Sequence, residues 1–375
     1  MTLVRAAVLA EIGADTPYSK SRPLEIRVLE LDDPGPGELS IKVGAAGLCH
    51  SDLSVIDGSR PRVMPMVLGH EAAGEVVKVG PDVDRFSVGD RVVLAFVPVC
   101  GECGPCRAGR SALCEPGAAA NTAGTLLSGA KRWRDPATGL QLNHHLGVSA
   151  FAEQIVVSAH SAVKIDSALP LDLAALFGCA VLTGAGATLN ATQIRAGETV
   201  AVFGLGGVGL AAVLAAVDAG AEVIAVDRVA DKLVLAAELG AAHTIAAGDG
   251  TVSDIRELTG GGVAHAIETV GSAAVLAEAY AATRRGGTTI TVGLPHPSQQ
   301  LSIPAVSLVA EERTLKGSYL GSCVPDRDIP RFIDLYRAGR LPVERLLTHR
   351  LVLDELNEGF DRLAAGEAVR QVVVF

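Results

Sequence analysis

The sequence has no excess of positive charge. It carries 32 Lys and Arg against 42 Asp and Glu, a formal net charge of −10 over 375 residues. Gripping a nucleic-acid backbone needs clustered cations, so that task is excluded as the main work of the chain. A local basic pocket for a small phosphate ligand is not. Aromatic residues are also scarce, at 3%. The N-terminus lacks a secretion signal: its apolar run, 6–10, is too short and ends at Glu11. A cytoplasmic protein is expected. No internal repeat or low-complexity tract is visible. Residues 173–194 and 199–217 are uncharged and long enough to raise the question of a membrane span. The first contains Thr183, Thr188, Asn190, Thr192 and Gln193; the second contains Gly204, Gly206, Gly207 and Gly209. A buried, turn-rich core is the expected explanation for both, with no membrane partner.

Apolar residues make up 49% and charged residues 20%, as in ordinary globular proteins. A disordered chain would be less apolar and more charged. The length suggests two domains or three and buries enough surface to need no disulfide staples. Short β-like runs broken by Gly and Pro fill the first half, for example at 39–43, 73–79 and 91–96. This texture predicts a sheet-rich, partly barrel-like domain. From about residue 180, β-like runs at 199–203, 222–226, 264–268 and 288–292 alternate with helix-compatible segments at 210–219 and 231–239. Alternation of this kind predicts an α/β unit with a parallel sheet. After residue 320 the texture returns to that of the first half, with a helix at 330–338 and a strand at 371–375. The first domain is therefore expected to take both ends of the chain, with the α/β domain inserted.

Gly204-Leu205-Gly206-Gly207-Val208-Gly209 fits G-x-G-x-x-G. Alone the pattern is weak, and a tight packing turn would explain it. Here a strand precedes it and a helix follows. Such glycines permit the turn and let backbone N–H groups approach a pyrophosphate at the helix N-terminus. Asp227 ends the next strand, where a carboxylate accepts hydrogen bonds from ribose hydroxyls and repels a 2′-phosphate. NAD is therefore expected over NADP. Arg228 beside it pulls in the other direction.

Seven cysteines lie at 49, 100, 103, 106, 114, 179 and 323. Cys100, Cys103, Cys106 and Cys114 fall within 15 residues. Four thiolates at this spacing can close a tetrahedral zinc site, which would be full and therefore structural. An iron–sulfur cluster competes for the same ligand type. Cys49 precedes His50-Ser51-Asp52, and His70 is followed by Glu71. Singly, each could be an ordinary buried side chain. With a dinucleotide loop in the same chain they suggest an open zinc site of two thiolates and one imidazole. Spacing does not say which second cysteine joins Cys49.

These motifs resemble the zinc-containing alcohol dehydrogenases of the medium-chain dehydrogenase/reductase superfamily. The resemblance spans nearly the whole chain: 47–52, 69–74, the four-cysteine lobe, 151–157, 179–186, the glycine loop and the tail around Arg370. It implies a Rossmann doubly wound parallel sheet inserted into a β-rich GroES-like catalytic domain. The implied boundaries are 1–180 and 321–375 for the catalytic domain, with a metal lobe at about 98–116, and 181–320 for the NAD-binding domain. It also implies two zinc ions per subunit. Cys49, His70 and Cys179 would bind the catalytic one, with Glu71 behind it and Asp52 fixing the His70 tautomer. The four lobe cysteines would bind the structural one. His50 and Arg370 would meet the NAD pyrophosphate. Asp227 and Lys232 would meet the adenosine ribose, and Thr183, Val208 and Val292 the nicotinamide. Ser51 would take the alcohol proton, although Ser54 stands where many relatives carry a relay His. Ser51, Arg60, Phe96, His145 and Leu146, with Leu320 further out, would surround the substrate.

The implied activity is reversible hydride transfer between NAD and a primary or secondary alcohol, with aldehyde or ketone as product. The small Ser51 leaves room for an aromatic or allylic alcohol. The alternative within the family is a thiol-adduct, formaldehyde-handling enzyme. Arg60 and Arg62 oppose it, because relatives with that activity usually carry acidic residues there. An alternative of another class, a zinc-lobe nucleic-acid binder, is opposed by the acidic charge and by the few aromatic residues of the lobe. The connection 115–143, which holds the sole tryptophan Trp133, resembles an insertion of longer, often dimeric members, so a homodimer is expected.

Overall fold

The computed structural model describes all residues from Met1 to Phe375. The chain divides into two compact units. One comprises residues 1–179, 324–330 and 347–375; the other comprises 180–323 and 331–346.

Ten strands build most of the first unit: β1 (Thr2–Leu9), β2 (Leu24–Leu31), β3 (Glu38–Gly47), β4 (Met66–Val67), β5 (Glu71–Val79), β6 (Arg91–Leu94), β7 (Trp133–Arg134), β8 (Gln141–His144), β9 (Gln154–Ser158) and β10 (Ala162–Ile165). Six more belong to the second unit: β11 (Thr199–Phe203), β12 (Glu222–Asp227), β13 (His243–Ala246), β14 (Val263–Glu268), β15 (Thr283–Thr291) and β16 (Thr314–Gly317). The last two, β17 (Leu347–Leu351) and β18 (Arg370–Val374), return to the first unit.

In the first unit β1-β2-β7-β8-β4 close a small barrel. A second sheet runs β10-β6-β5-β3-β18-β17, with β9 also paired to β3. The connection 115–143 thus contributes two barrel strands. Trp133 of β7 is fully buried and pairs with Leu31 and Leu142. One apolar cluster holds this unit together, with Leu9, Leu31, Ile41, Val76, Phe151 and Phe360 among its members. Each such side chain contributes roughly 1.5–3 kcal/mol on burial.

In the second unit the sheet order is β13-β12-β11-β14-β15-β16, and every pairing is parallel. Counted within the unit this is 3-2-1-4-5-6, the doubly wound order whose strand sequence reverses between β11 and β14. Val200, Ala201, Val202 and Phe203 are all buried. Burial on both faces explains why β11 reads as an unbroken apolar run rather than an alternating one. The helix Gly207–Asp218 that follows is apolar on all sides because it too is largely buried.

Residues 331–346 cluster with the second unit, whereas the sequence reading kept all of 321–375 with the first. Ion pairs tie this segment down: Arg340 reaches Asp218 at 2.6 Å and Arg345 reaches Glu238 at 2.6 Å. No single helix is long and apolar enough to cross a membrane. The uncharged stretch 173–194 is interrupted at Cys179, and most of its side chains are buried.

Candidate functional site

The register of β3 and β5 creates a metal-ligand cluster in the first unit. Gly47 pairs with Glu71, which places Cys49, just beyond β3, beside His70, just before β5. Cys49 caps the helix His50–Ile56 in an extended conformation. Cys179 arrives from the other side, after the short helical turn Ala175–Gly178. One ligand atom from each of Cys49, His70, Glu71 and Cys179 lies within 4.8 Å of the others. All four residues are buried, the most exposed being Cys49 at 8%.

The donor set fits zinc. Asp52 is fully buried and its Oδ1 lies 3.1 Å from His70 Nδ1. The Gly69 N–H donates to the same oxygen at 3.1 Å. A carboxylate at Nδ1 keeps the hydrogen there and leaves Nε2 as a lone pair. His70 Nε2 is buried and makes no hydrogen bond. A bare imidazole nitrogen beside two thiols is the open three-ligand pattern of a catalytic zinc. Hydrogen bonding from Cys179 drives the Cys49 thiol well below its usual range. Burial opposes that shift and His70 assists it. A site of this kind binds metal through thiolates.

Glu71 lies behind these ligands in a buried ion pair with Arg370. Burial pushes its carboxyl up to about 7, against the pull of Arg370. Arg370, expected at the cofactor pyrophosphate, is only 4% exposed. Two aromatic rings flank His70: Phe96 edge-on at 5.4 Å and His145 stacked at 5.6 Å. Leu146 is buried next to His145, while Ser51 and Arg60 are half-buried and His50 is exposed. The Ser54 hydroxyl donates to the His50 carbonyl at 2.8 Å.

The four lobe cysteines form a separate cluster whose sulfurs lie within 4.8 Å of one another. Gly101 and Gly109 turn the chain with positive φ. Backbone N–H groups aim at the sulfurs: Cys103 and Glu102 at Cys100 Sγ, 3.3 and 3.4 Å, and Cys100 at Cys114 Sγ, 3.2 Å. Donors to sulfur stabilise thiolate. Four thiolates satisfy tetrahedral zinc with no vacancy for substrate.

In the second unit the glycine loop leaves β11 at the strand-order reversal, where doubly wound sheets bind ligands. Gly204 has φ +89°, and a Cβ at Gly209 would stand 1.8 Å from the Gly204 carbonyl oxygen. Only glycine allows the turn at the first position and the close helix–strand approach at the second. Asp227 braces the loop, accepting the Leu205 N–H at 2.6 Å and the Val229 N–H at 2.9 Å. Thr269, not singled out in the sequence, donates to the carbonyls of Phe203 and Gly204 at 3.0 and 2.8 Å. Its only sequence signal is its place directly after β14. Val208, Lys232 and Val292 are half-buried, Arg228 is exposed, and Thr183 and Leu320 are buried. Leu320 sits in a left-handed turn with φ 51°.

The family description "Alcohol dehydrogenase GroES-like domain" matches residues 35–167, and "Zinc-binding dehydrogenase" matches residues 207–338. The NDMA-dependent alcohol dehydrogenase of Amycolatopsis methanolica is 42% identical over 362 residues, covering 95% of this chain and 97% of that protein. The geraniol dehydrogenase of Castellaniella defragrans is 38% identical over 375 residues, covering 99% and 97%. The crystal structure of benzyl alcohol dehydrogenase from Acinetobacter calcoaceticus superposes with a TM-score of 0.92 at 32% identity, and each chain is covered completely. Full-length similarity of this order makes the chain an alcohol dehydrogenase that works with zinc and a nicotinamide cofactor. On these grounds the chain belongs to the zinc-type alcohol dehydrogenases of the medium-chain dehydrogenase/reductase superfamily.

Proposed function

We propose that this enzyme oxidises a primary aromatic or allylic alcohol with NAD, reversibly, through a zinc ion held by Cys49, His70 and Cys179. The observation that carries the reading is the bare, buried Nε2 of His70 beside two buried thiols. Zinc in such a site supplies Lewis acidity that lowers the pKa of an alcohol. The protein does the rest. Asp52 keeps the His70 proton on Nδ1. Ser51, two residues after Cys49, accepts the alcohol proton and passes it outward. Phe96 and Leu146 give the slot its apolar walls, and His145 and Arg60 its polar ones. The small hydroxyl of Ser51 leaves space for a planar unsaturated group. Two relatives are named for geraniol and benzyl alcohol, which supports that preference.

In the second unit the N–H groups of the glycine loop and the helix N-terminus receive the pyrophosphate. Asp227 accepts from the ribose hydroxyls beside Lys232, and its charge disfavours a 2′-phosphate. That favours NAD, although one structural neighbour is described as bound to NADP and Arg228 stands next to the carboxylate. Thr183, Val208 and Val292 are assigned to the nicotinamide. The lobe cysteines hold the second, structural zinc.

We further infer a cytoplasmic homodimer. None of the seven cysteines is in a disulfide, which suits a reducing compartment. β16 is an open sheet edge, and near it Val306 and Val309 are 72% and 81% exposed. An uncovered edge with apolar neighbours is a natural pairing surface. Sedimentation at twice the 38.4 kDa chain mass supports this, and a tetramer overturns it. The test of activity is NADH absorbance across aliphatic, aromatic, allylic and thiol-adduct alcohols, with NADP and NDMA as competing acceptors. Turnover with aromatic or allylic alcohols and NAD is expected. Zinc-replete protein that turns over only a thiol adduct, or only with NADP, refutes the assignment.

A further inference from the structure

His145 is 1% exposed, and neither of its ring nitrogens makes a hydrogen bond. Burying a polar ring without partners carries a desolvation penalty that a phenyl ring of similar size would avoid. Its surroundings give the ring a task. It stacks on His70 with planes 30° apart. Its Nε2 lies 3.7 Å from Asp52 Oδ1, too far for a hydrogen bond but close enough for a strong charge–dipole interaction in a dry interior. Asp52 is the carboxylate that holds His70 Nδ1, which lies 3.1 Å from its Oδ1 and 3.0 Å from its Oδ2.

An imidazole carries a hydrogen on at least one of its ring nitrogens. With the hydrogen on Nε2, that N–H faces the Asp52 carboxylate. The other tautomer would set a lone pair against a carboxylate oxygen, so the field of Asp52 selects the first.

We propose that His145 is a positioning residue for the catalytic metal: its Nε2–H dipole is set against the Asp52 carboxylate, and its ring face fixes the tilt of His70, so that His70 Nε2 stays aimed at Cys49 and Cys179. The inference rests on the reading of Cys49, His70 and Cys179 as the ligand set. His145 acts through Asp52 and His70. The effect belongs to metal retention first and to turnover only as a consequence.

The experiment compares zinc release to a chelator from full-length wild type, H145F and H145Q, with melting temperature measured alongside. H145F keeps an aromatic face and loses the donor; H145Q keeps an amide donor and loses the face. The zinc of the four-cysteine lobe serves as a reference within the same molecule. Removing a group that directly orients a metal ligand costs about 10–100-fold in affinity or activity. One step further out, H145F is expected to release the catalytic zinc roughly three- to tenfold faster, with the lobe zinc unchanged and H145Q closer to wild type. Equal release from H145F and wild type overturns the proposal. So does parallel acceleration of both zincs, which is general loosening, or release from H145Q as fast as from H145F. If H145F does not fold, H145N, whose amide is too short to reach Asp52, takes its place with the same criteria. Wild type that binds zinc only in the lobe fails the ligand-set reading instead.

Discussion

Replacing Asp227 separates bracing of the glycine loop from recognition of the cofactor. The carboxylate is expected to read the ribose, yet it already accepts two backbone hydrogen bonds, from Leu205 at 2.6 Å and Val229 at 2.9 Å. Leu205 is fully buried, so in Asp227→Ala its N–H loses a charged acceptor and gains no water. That costs roughly 1–3 kcal/mol. Val229 is half-buried, and its amide recovers a water, so its loss is about 1 kcal/mol. Together the variant is expected to be about 3 kcal/mol less stable in the second unit before any cofactor is added. For a unit of this size melting independently, that lowers the melting temperature by roughly 6–12 °C. Asp227→Asn keeps one acceptor oxygen and should lose about half as much. The assay is calorimetry of cofactor-free protein, followed by titration with NADH and NADPH. NADH affinity falls in both variants. NADPH affinity does not rise to compensate, because the loop that holds either pyrophosphate has lost its brace. An alanine variant that melts within about a degree of wild type while losing NADH affinity refutes the bracing argument.

Two further predictions follow from close contacts and burial. Gly209→Ala puts a Cβ 1.8 Å from a backbone oxygen that cannot swing away, so β11 and its helix must separate. Such overpacking costs typically 1–3 kcal/mol, and NADH affinity measured by fluorescence should fall about tenfold or more. An unchanged dissociation constant would contradict the close approach. His144 is fully buried with its Nε2 accepting the Arg132 N–H at 3.1 Å. Burial, with smaller contributions from Arg132 and Lys131, holds it down at about 3. Between that value and the unfolded value of about 6.5, the unfolded chain binds a proton that the folded chain does not. The stability it contributes is complete above pH 6.5 or so and is lost as pH falls, by up to about 1.4 kcal/mol per pH unit. Urea midpoints of wild type and His144→Gln should therefore converge on acidification; parallel profiles would show that His144 does not titrate in this way.

The α/β unit was the most legible part of the chain. The central strands β11, β12 and β14 are buried on both faces and announce themselves as apolar runs, the glycine loop marks the first turn, and the exposed β13 and β16 carry no such signal. The barrel was harder to read. β4 and β7 have two residues each, too short for any periodicity, so the segment around Trp133 read as a connection. The C-terminal boundary was displaced because ion pairs such as Arg340 with Asp218 leave no local pattern. At the candidate site, each proposed zinc ligand stood in a recognisable motif. That Cys179 joins Cys49 came from the resemblance, since no spacing rule spans the gap. The approach of His145 to Asp52 had no signal at all, because it depends on how the segment after β8 packs against the helix His50–Ile56.

The placement of β18 has a consequence for the newborn chain. Residues 370–374 leave the ribosome long after β3, yet β18 pairs with β3 at Gly47, Ala46 and Ala45 and brings Arg370 to Glu71. The candidate ligands Cys49, His70 and Cys179 have all been synthesised by the middle of translation. The buried carboxylate behind them has no guanidinium until the final strand docks. The four lobe cysteines, within 15 residues of one another, depend on nothing so distant. The four-cysteine lobe thus needs only a local stretch of chain, whereas the cluster of Cys49, His70, Glu71 and Cys179 is completed by Arg370 only once β18 has been synthesised.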